Sequence, residues 1–294
     1  GDLVGRTMKV ALRCSRLDGT CSGDACRVLA VMQTGLPFRA ADDLLTRRDG
    51  SRFPVRYSSA PIRRAGRVDG AVVAFQDISA ELRAAGRERF LAAASEELAT
   101  TIDLDETLAR VVRLALPQLG DWCMVVLVED GGQPRNVLVH AREPSLAAVA
   151  RELLHRYPVD LEADHGVGRV LRTGEPELLP DAAGFVADRE RTGRLRGELL
   201  ARIGLYSYLA VPLRTHARLV GAMAFAIAHP GRRFGRADLS LAEALAERCA
   251  LAIENARLHR NAQEAVRSRD EMLAVVSHDL RTPLGSIAAA AAVI

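Results

Sequence analysis

The chain has one lysine, Lys9, so arginine supplies nearly all its positive charge. Lys and Arg total 40 against 37 Asp and Glu, a formal charge of only +3, and the two signs are interspersed. That balance describes a solvated surface with a compositional bias and excludes the one-sided basic face of a nucleic-acid binder. Long apolar runs are missing too. Nothing reaches the eighteen or so residues a membrane span needs, and the alanine-rich residues 287–294 are too short and continue a helical pattern. Nothing near Gly1 resembles a signal peptide. Cysteine is sparse and odd in number, and Cys14, Cys21, Cys26, Cys123 and Cys249 are mostly scattered. Reduced thiols in a cytoplasmic protein fit this better than a disulfide framework. His140, His155, His165, His216 and His229 are dispersed, none at a metal-ligand spacing from Cys, Asp or Glu, so no metal is expected.

What is present is ordinary globular material: 294 residues, 49% hydrophobic and 26% charged, enough for about two core-bearing units. Residues 1–35 read as short helices and loops. Residues 40–78 read as antiparallel strands, with Asp49-Gly50 turning between 43–48 and 52–62 and Phe53, Val55 and Tyr57 alternating as in a half-buried strand. Ala65-Gly66 supplies a second turn before a strand over 68–75. Helix formers take over at Ala80, with Asp77 or Ser79 placed to cap them. Arg48-Asp49-Gly50-Ser51, Ser59-Ala60-Pro61-Ile62, Gly66-Arg67-Val68-Asp69-Gly70 and Asp77-Ile78-Ser79 resemble the C-terminal half of a PAS sensor domain, and Leu3-Val4-Gly5-Arg6 matches an earlier helical segment of that family. The resemblance implies a chain that starts inside such a domain. Gly23-Asp24-Ala25-Cys26-Arg27 lacks the Asn and Gln of a flavin-binding cysteine motif and falls too late for one, so Cys26 reads as helix packing.

A helical stretch spans 80–116, weakened at Gly86 and restarted near Asp103, with Glu106 three residues on as in a capping box. An α/β unit follows. Strands are predicted over 122–128 and 136–141 about the turn Asp130-Gly131-Gly132, a helix over 145–157, and a hairpin of 206–214 with 219–228 about residues 215–218. Cys123, beside Trp122 on a strand, reads as a core residue. Gly166-Val167-Gly168 has its next glycine only at Gly174 and no strand leading into it, which makes it a tight turn and not a dinucleotide loop. Gly166 to Gly174, Ala210-Val211-Pro212-Leu213, Leu219-Val220-Gly221-Ala222 and the exit helix Leu251-Ala252-Ile253-Glu254-Asn255 resemble a GAF domain, over about residues 96–258. No cysteine precedes a histidine, so the commonest covalent bilin attachment of phytochrome-like members is absent.

From Arg236 to Thr282 there is neither glycine nor proline, which permits one long helix. Leu273, Leu280, Ile287 and Ile294 fall seven apart, with Val276, Pro283 and Ala290 on the second core line. Farther back the same frame meets His259, Asn255 and Arg269, a break read as a phase change between sensor and output. His278 takes the outward position of that heptad. A neutral imidazole there keeps a lone pair for attack on phosphorus. Asp279 is the nearest carboxylate able to accept its other N–H, although adjacent side chains diverge on an ideal helix. Pro283 cannot donate to the Asp279 carbonyl and crowds it, which predicts a bend. Thr282 lies one turn after His278, on the same face, where a hydroxyl could orient water.

Ser277-His278-Asp279-Leu280-Arg281-Thr282-Pro283-Leu284 resembles the H-box of HisKA-class sensor histidine kinases. The resemblance implies that His278 is the phosphoacceptor, Asp279 the assisting acid or base and Thr282 the residue of phosphatase action. It gives an α+β multidomain chain in which antiparallel-sheet PAS and GAF sensors are joined by helices to the first helix of a dimeric phosphotransfer bundle. The divisions are residues 1–79 (partial PAS), 80–95 (helical linker), 96–258 (GAF) and 259–294 (signalling helix and first HisKA helix). The implied protein is a cytoplasmic protein-histidine kinase that passes the γ-phosphoryl of ATP through His278 to a response-regulator aspartate. It would homodimerise through its helices and answer an unknown small-molecule signal. ATP and Mg²⁺ belong to a catalytic domain absent from these residues, so this stretch alone is expected to bind no cofactor and to be inactive. Two rivals stand beside that reading: a ligand-binding PAS/GAF module with a vestigial output, and an output phosphorylated in trans.

Overall fold

The structure is a computed structural model, and it describes residues 4–5, 14–16, 27–99, 104–128, 133–187 and 194–291. The chain is α+β, with antiparallel sheets in each of two compact units, residues 1–89 and 90–294.

In the first unit, β1 (Cys14–Arg16), β2 (Phe38–Thr46), β3 (Arg52–Arg64) and β4 (Arg67–Asp77) form an antiparallel sheet in chain order, with α1 (Arg27–Thr34) between β1 and β2. The strand at Cys14–Arg16 corrects the expectation of helices and loops across 1–35. Three residues carry little strand signal of their own, and pairing with the open edge of β2, Cys14 opposite Leu45, makes them a strand. The Cys26 segment and the turn at Asp130-Gly131-Gly132 lie outside the described residues. Both predicted hairpin turns are present. Asp49 Oδ1 accepts hydrogen bonds from the Ser51 N–H and hydroxyl, closing the first. Ala65 and Gly66 both have positive φ, 47° and 79°, as a two-residue type I′ turn requires. Leu45, Val55 and Tyr57 form the buried face, and the Tyr57 hydroxyl donates to buried Asp43 at 2.7 Å. Asp77 Oδ1 accepts the Ser79 N–H and so caps α2 (Ser79–Ala99). Hydrogen bonds from Ser79, and the nearby Arg47 charge, hold the Asp77 carboxyl below the usual carboxylate range.

In the second unit the helical stretch divides into α2 and α3 (Leu104–Leu119), while the predicted cap Asp103 falls outside the described residues. The sheet order is β6 (Pro134–Ala141), β5 (Trp122–Val128), β9 (Leu219–Ile227), β8 (Ser207–Arg214), β7 (Glu177–Leu179), all antiparallel. Between β6 and β8 come α4 (Pro144–Arg156), α5 (Val167–Thr173), α6 (Ala182–Ala187) and α7 (Arg194–Ile203). Period-two alternation gives the sheet two apolar faces. Cys123, Val125, Leu209, Met223 and Phe225 point to one, where α3 and the last helix, α8 (Arg236–Ala291), cover them. Trp122, Met124, Tyr208, Ala224 and Ala226 point to the other, under α4, α5 and α7. In α8 the buried residues Leu241, Ala242, Leu245, Ala246, Cys249, Ala250 and Ile253 recur at three- and four-residue steps, one helical stripe on the sheet. From 254 to 273 no residue is buried.

Candidate functional site

The second face of the sheet is not filled. A cavity of about 440 Å³ lies between it and the short helices. Its origin is visible in the strand register. Trp122 of β5 and Tyr208 of β8 both pair with Ala226 of β9, so the three residues form one row on one face. Two large rings flank a methyl group, and the row is lowest at its centre. Ala222 and Ala224 continue the alanine stripe along β9. The walls are apolar, with Leu153 and Leu154 from α4, Val167 from α5 and Leu200 from α7.

The segment 157–166 covers the cavity and is braced at several points. Arg172 donates to the carbonyls of Leu161 and Ala163, the latter at 3.1 Å. The Glu162 N–H donates to Asp160 Oδ1 at 2.9 Å. Gly168 lets the Asp160 carbonyl approach so closely that a Cβ there would lie 1.8 Å from its oxygen. At the end of the segment His165 Nδ1 lies 2.8 Å from Glu177 Oε1, while the Gly166 N–H donates to Glu177 Oε2. Glu177 is buried on β7, so this carboxylate ties the covering segment to the sheet edge. Gly166 then enters α5 with φ 80°, a conformation that favours glycine, and Gly174 closes the helix at φ 68°. Of the predicted turn at Gly166-Val167-Gly168, only Gly166 lies outside a helix; Val167 and Gly168 are the first residues of α5.

Two donors lie on the floor. Trp122 is 4% exposed, and its Nε1–H has no hydrogen-bond partner among the described residues. Tyr208 is equally enclosed; burial first and then the Glu177 carboxylate push its phenol well above its ordinary value, so it stays protonated. The Val167 backbone N–H hydrogen-bonds its oxygen. Charged groups of the lining, Asp160, Asp164 and Arg196, belong to the covering segment and to α7. Among the described residues no cluster of His, Cys, Asp and Glu could hold a metal ion. No helix there is long and apolar enough to cross a membrane.

The residues singled out for phosphotransfer, His278, Asp279, Thr282 and Pro283, all fall within α8, which continues through Pro283 to Ala291. Their side chains lie outside the described residues. Sequence reading missed the cavity row and the His165–Glu177 pair. Its members are twelve positions apart in the chain, with nothing local to join them. Trp122 carried a signal, being the one tryptophan of the chain on a predicted strand.

The GAF domain family model matches residues 103–253, just over half of the chain. No curated protein matches it. Among solved structures, the GAF domain of an Acinetobacter phosphoenolpyruvate-protein phosphotransferase is 19% identical, covering 60% of this chain and 97% of its own, with a TM-score of 0.45. A domain of a putative two-component sensor histidine kinase from Sinorhizobium meliloti 1021 is 17% identical, covering 55% and 97%, with a TM-score of 0.39. The GAF-B domain of DevS from Mycobacterium smegmatis is 18% identical, covering 54% and 99%, with a TM-score of 0.40.

Proposed function

This chain belongs to the GAF domain family through residues 103–253, and on that premise we propose that it is the sensory and phosphoacceptor region of a two-component histidine kinase. Residues 1–79 serve as the C-terminal part of a PAS domain, and 259–294 as the signalling helix and first bundle helix. The cavity beside Trp122 and Tyr208 receives the signal. His278 accepts the γ-phosphoryl of ATP on a ring nitrogen, with loss of ADP, and passes it to an aspartate of a receiver domain. Asp279 holds the second ring nitrogen, and Thr282 orients the water that dephosphorylates the partner.

The observation that carries the reading is α8. One helix of 56 residues is docked on the sheet as far as Ile253 and runs on through the H-box resemblance. From Ile253 to His278 a regular helix rises ~38 Å at about 1.5 Å per residue. Leu258, Val266, Met272 and Leu273 are exposed along that stretch, apolar surface that a second copy of the helix would cover.

In the complete gene product, ATP labelled at the γ position should leave acid-labile label that disappears in His278→Gln. Equal label in both proteins would end the assignment. Thr282→Ala should slow dephosphorylation of the receiver at least several-fold and leave autophosphorylation intact; equal loss of both would remove Thr282 from that role. A second reading, a ligand-binding module without phosphotransfer, is favoured by the cavity, which is complete without any residue of the H-box. Ligand binding with no label on His278 would select it.

A further inference from the structure

The floor of the cavity has donors without acceptors to match. The indole Nε1–H of Trp122 is a donor only, and it has no partner among the described residues. The Tyr208 oxygen is already hydrogen-bonded by the Val167 N–H, and its one hydroxyl proton makes it a donor as well. The Glu177 carboxylate, whose charge acts on Tyr208, has one oxygen at His165 and the other at the Gly166 N–H. No cationic side chain lies on the floor: the one arginine of the lining, Arg196, is exposed, over the Tyr157 ring at 5.8 Å. Burying an anion against an apolar wall and a buried carboxylate, with no cation beside it, is strongly unfavourable. A neutral oxygen acceptor meets no such penalty and relieves the unmatched donors. The remaining walls are mostly leucine, valine, methionine and alanine, with Asp160, Asp164 and His165 on the covering segment, and the volume falls in the usual range for small-molecule sites.

We propose that this cavity takes an uncharged, largely apolar small molecule bearing a carbonyl, held at the floor by the Tyr208 hydroxyl and beside the Trp122 indole edge. Tyr208 is the principal donor. Trp122 Nε1 is covered when the cavity is empty and reaches the same oxygen only after a small turn of its ring. The inference rests on the cavity being the sensory site and adds the chemical class of its ligand.

One resonance reads the site, because Trp122 is the only tryptophan and gives the only indole N–H cross-peak in a ¹H–¹⁵N spectrum of the chain. Three probes share one skeleton: benzophenone carries the carbonyl, diphenylmethane lacks it, and diphenylacetate carries an anion. At equal concentration benzophenone should displace the peak and bind about tenfold more tightly than diphenylmethane, the equivalent of ~1.4 kcal/mol for one well-made hydrogen bond. Diphenylacetate should bind weakest. Tyr208→Phe should bring benzophenone down to the level of diphenylmethane and leave diphenylmethane unchanged, which also shows that the variant is folded. Equal binding of benzophenone and diphenylmethane to the unaltered chain overturns the proposal. So does a preference for diphenylacetate, which would leave a sensory cavity of a different ligand class. A peak unmoved by all three overturns both the ligand class and the sensory role of the cavity.

Discussion

Two helical glycines should respond oppositely to the same substitution. Replacing glycine by alanine inside a helix normally stabilises by about 0.5–1 kcal/mol, because glycine loses more backbone freedom on folding. Gly86, inside α2, has nothing within 4 Å of an added Cβ, so Gly86→Ala should show that gain. Gly168, inside α5, is different. Its Cβ would stand 1.8 Å from the Asp160 carbonyl oxygen, 2.8 Å from the carbonyl carbon and 3.5 Å from Leu161 Cα. Ordinary contact begins near 3.4 Å, so the backbone of the covering segment must retreat by about 1.6 Å. It is held there by Arg172 and by the Ala163 N–H, which donates to the same Asp160 oxygen. Overpacking against backbone typically costs ~1–3 kcal/mol, more than the helix gain, and leaves Gly168→Ala less stable by roughly 1–2 kcal/mol. For a unit of this size that lowers the melting temperature by about 2–4 °C per kcal/mol. Urea unfolding followed by Trp122 fluorescence reads the second unit alone, and circular dichroism follows Gly86→Ala. If Gly168→Ala stabilised the chain as Gly86→Ala does, the close approach of Asp160 would be refuted, and with it the braced cover of the cavity.

The other predictions concern the face under α8. Burial raises the Cys123 thiol well above its ordinary range, with a smaller contribution from Cys249, and burial pushes Cys249 up to about 12. Both should resist iodoacetamide at about pH 8 in the native chain and react only on unfolding, as peptide mass spectrometry would show; rapid native labelling of either would refute their burial. Arg218, at the β8–β9 turn, donates from Nε at 3.1 Å and from Nη2 at 2.8 Å to Glu254 Oε2 of α8. The pair is partly buried, so Glu254→Gln should cost ~1 kcal/mol in the same fluorescence assay, and an unchanged midpoint would reduce it to a solvated rim contact.

Elements fixed by local chemistry were legible in the sequence. The strand over 122–128 and the hairpin about 215–218 follow from apolar runs bounded by turn residues, and the cap at Asp77 from an acidic side chain before helix formers. What escaped is what tertiary pairing creates. Glu177–Leu179 is three residues long and becomes a strand by lying against Tyr208–Ala210. The cavity escaped for a related reason. Ala222, Ala224 and Ala226 read in sequence as small residues of a buried strand, and only the register that sets Ala226 between Trp122 and Tyr208 turns smallness into space.

That register also bears on how a signal could leave the site. Along β5 and β8 neighbouring residues face opposite ways: Trp122 and Tyr208 border the cavity, Cys123 and Leu209 pack under the helical layer that includes α8. The floor of the cavity and the docked stripe of α8 are thus two faces of one sheet, and stacked layers of this kind lie about 10 Å apart. Cys123 lies in the same buried cluster as Cys249 of α8, and it is the residue next to Trp122. A ligand that turns the indole loads the strand between them. The stripe cannot absorb much of that load, because its residues, Leu241, Leu245 and Ile253 with Ala242, Ala246 and Ala250, are buried in one close-packed core with the sheet. Under the proposed sensory role, displacement of the floor would pass to α8 as a body, because from Glu254 to Leu273 no residue of the helix is buried to resist it.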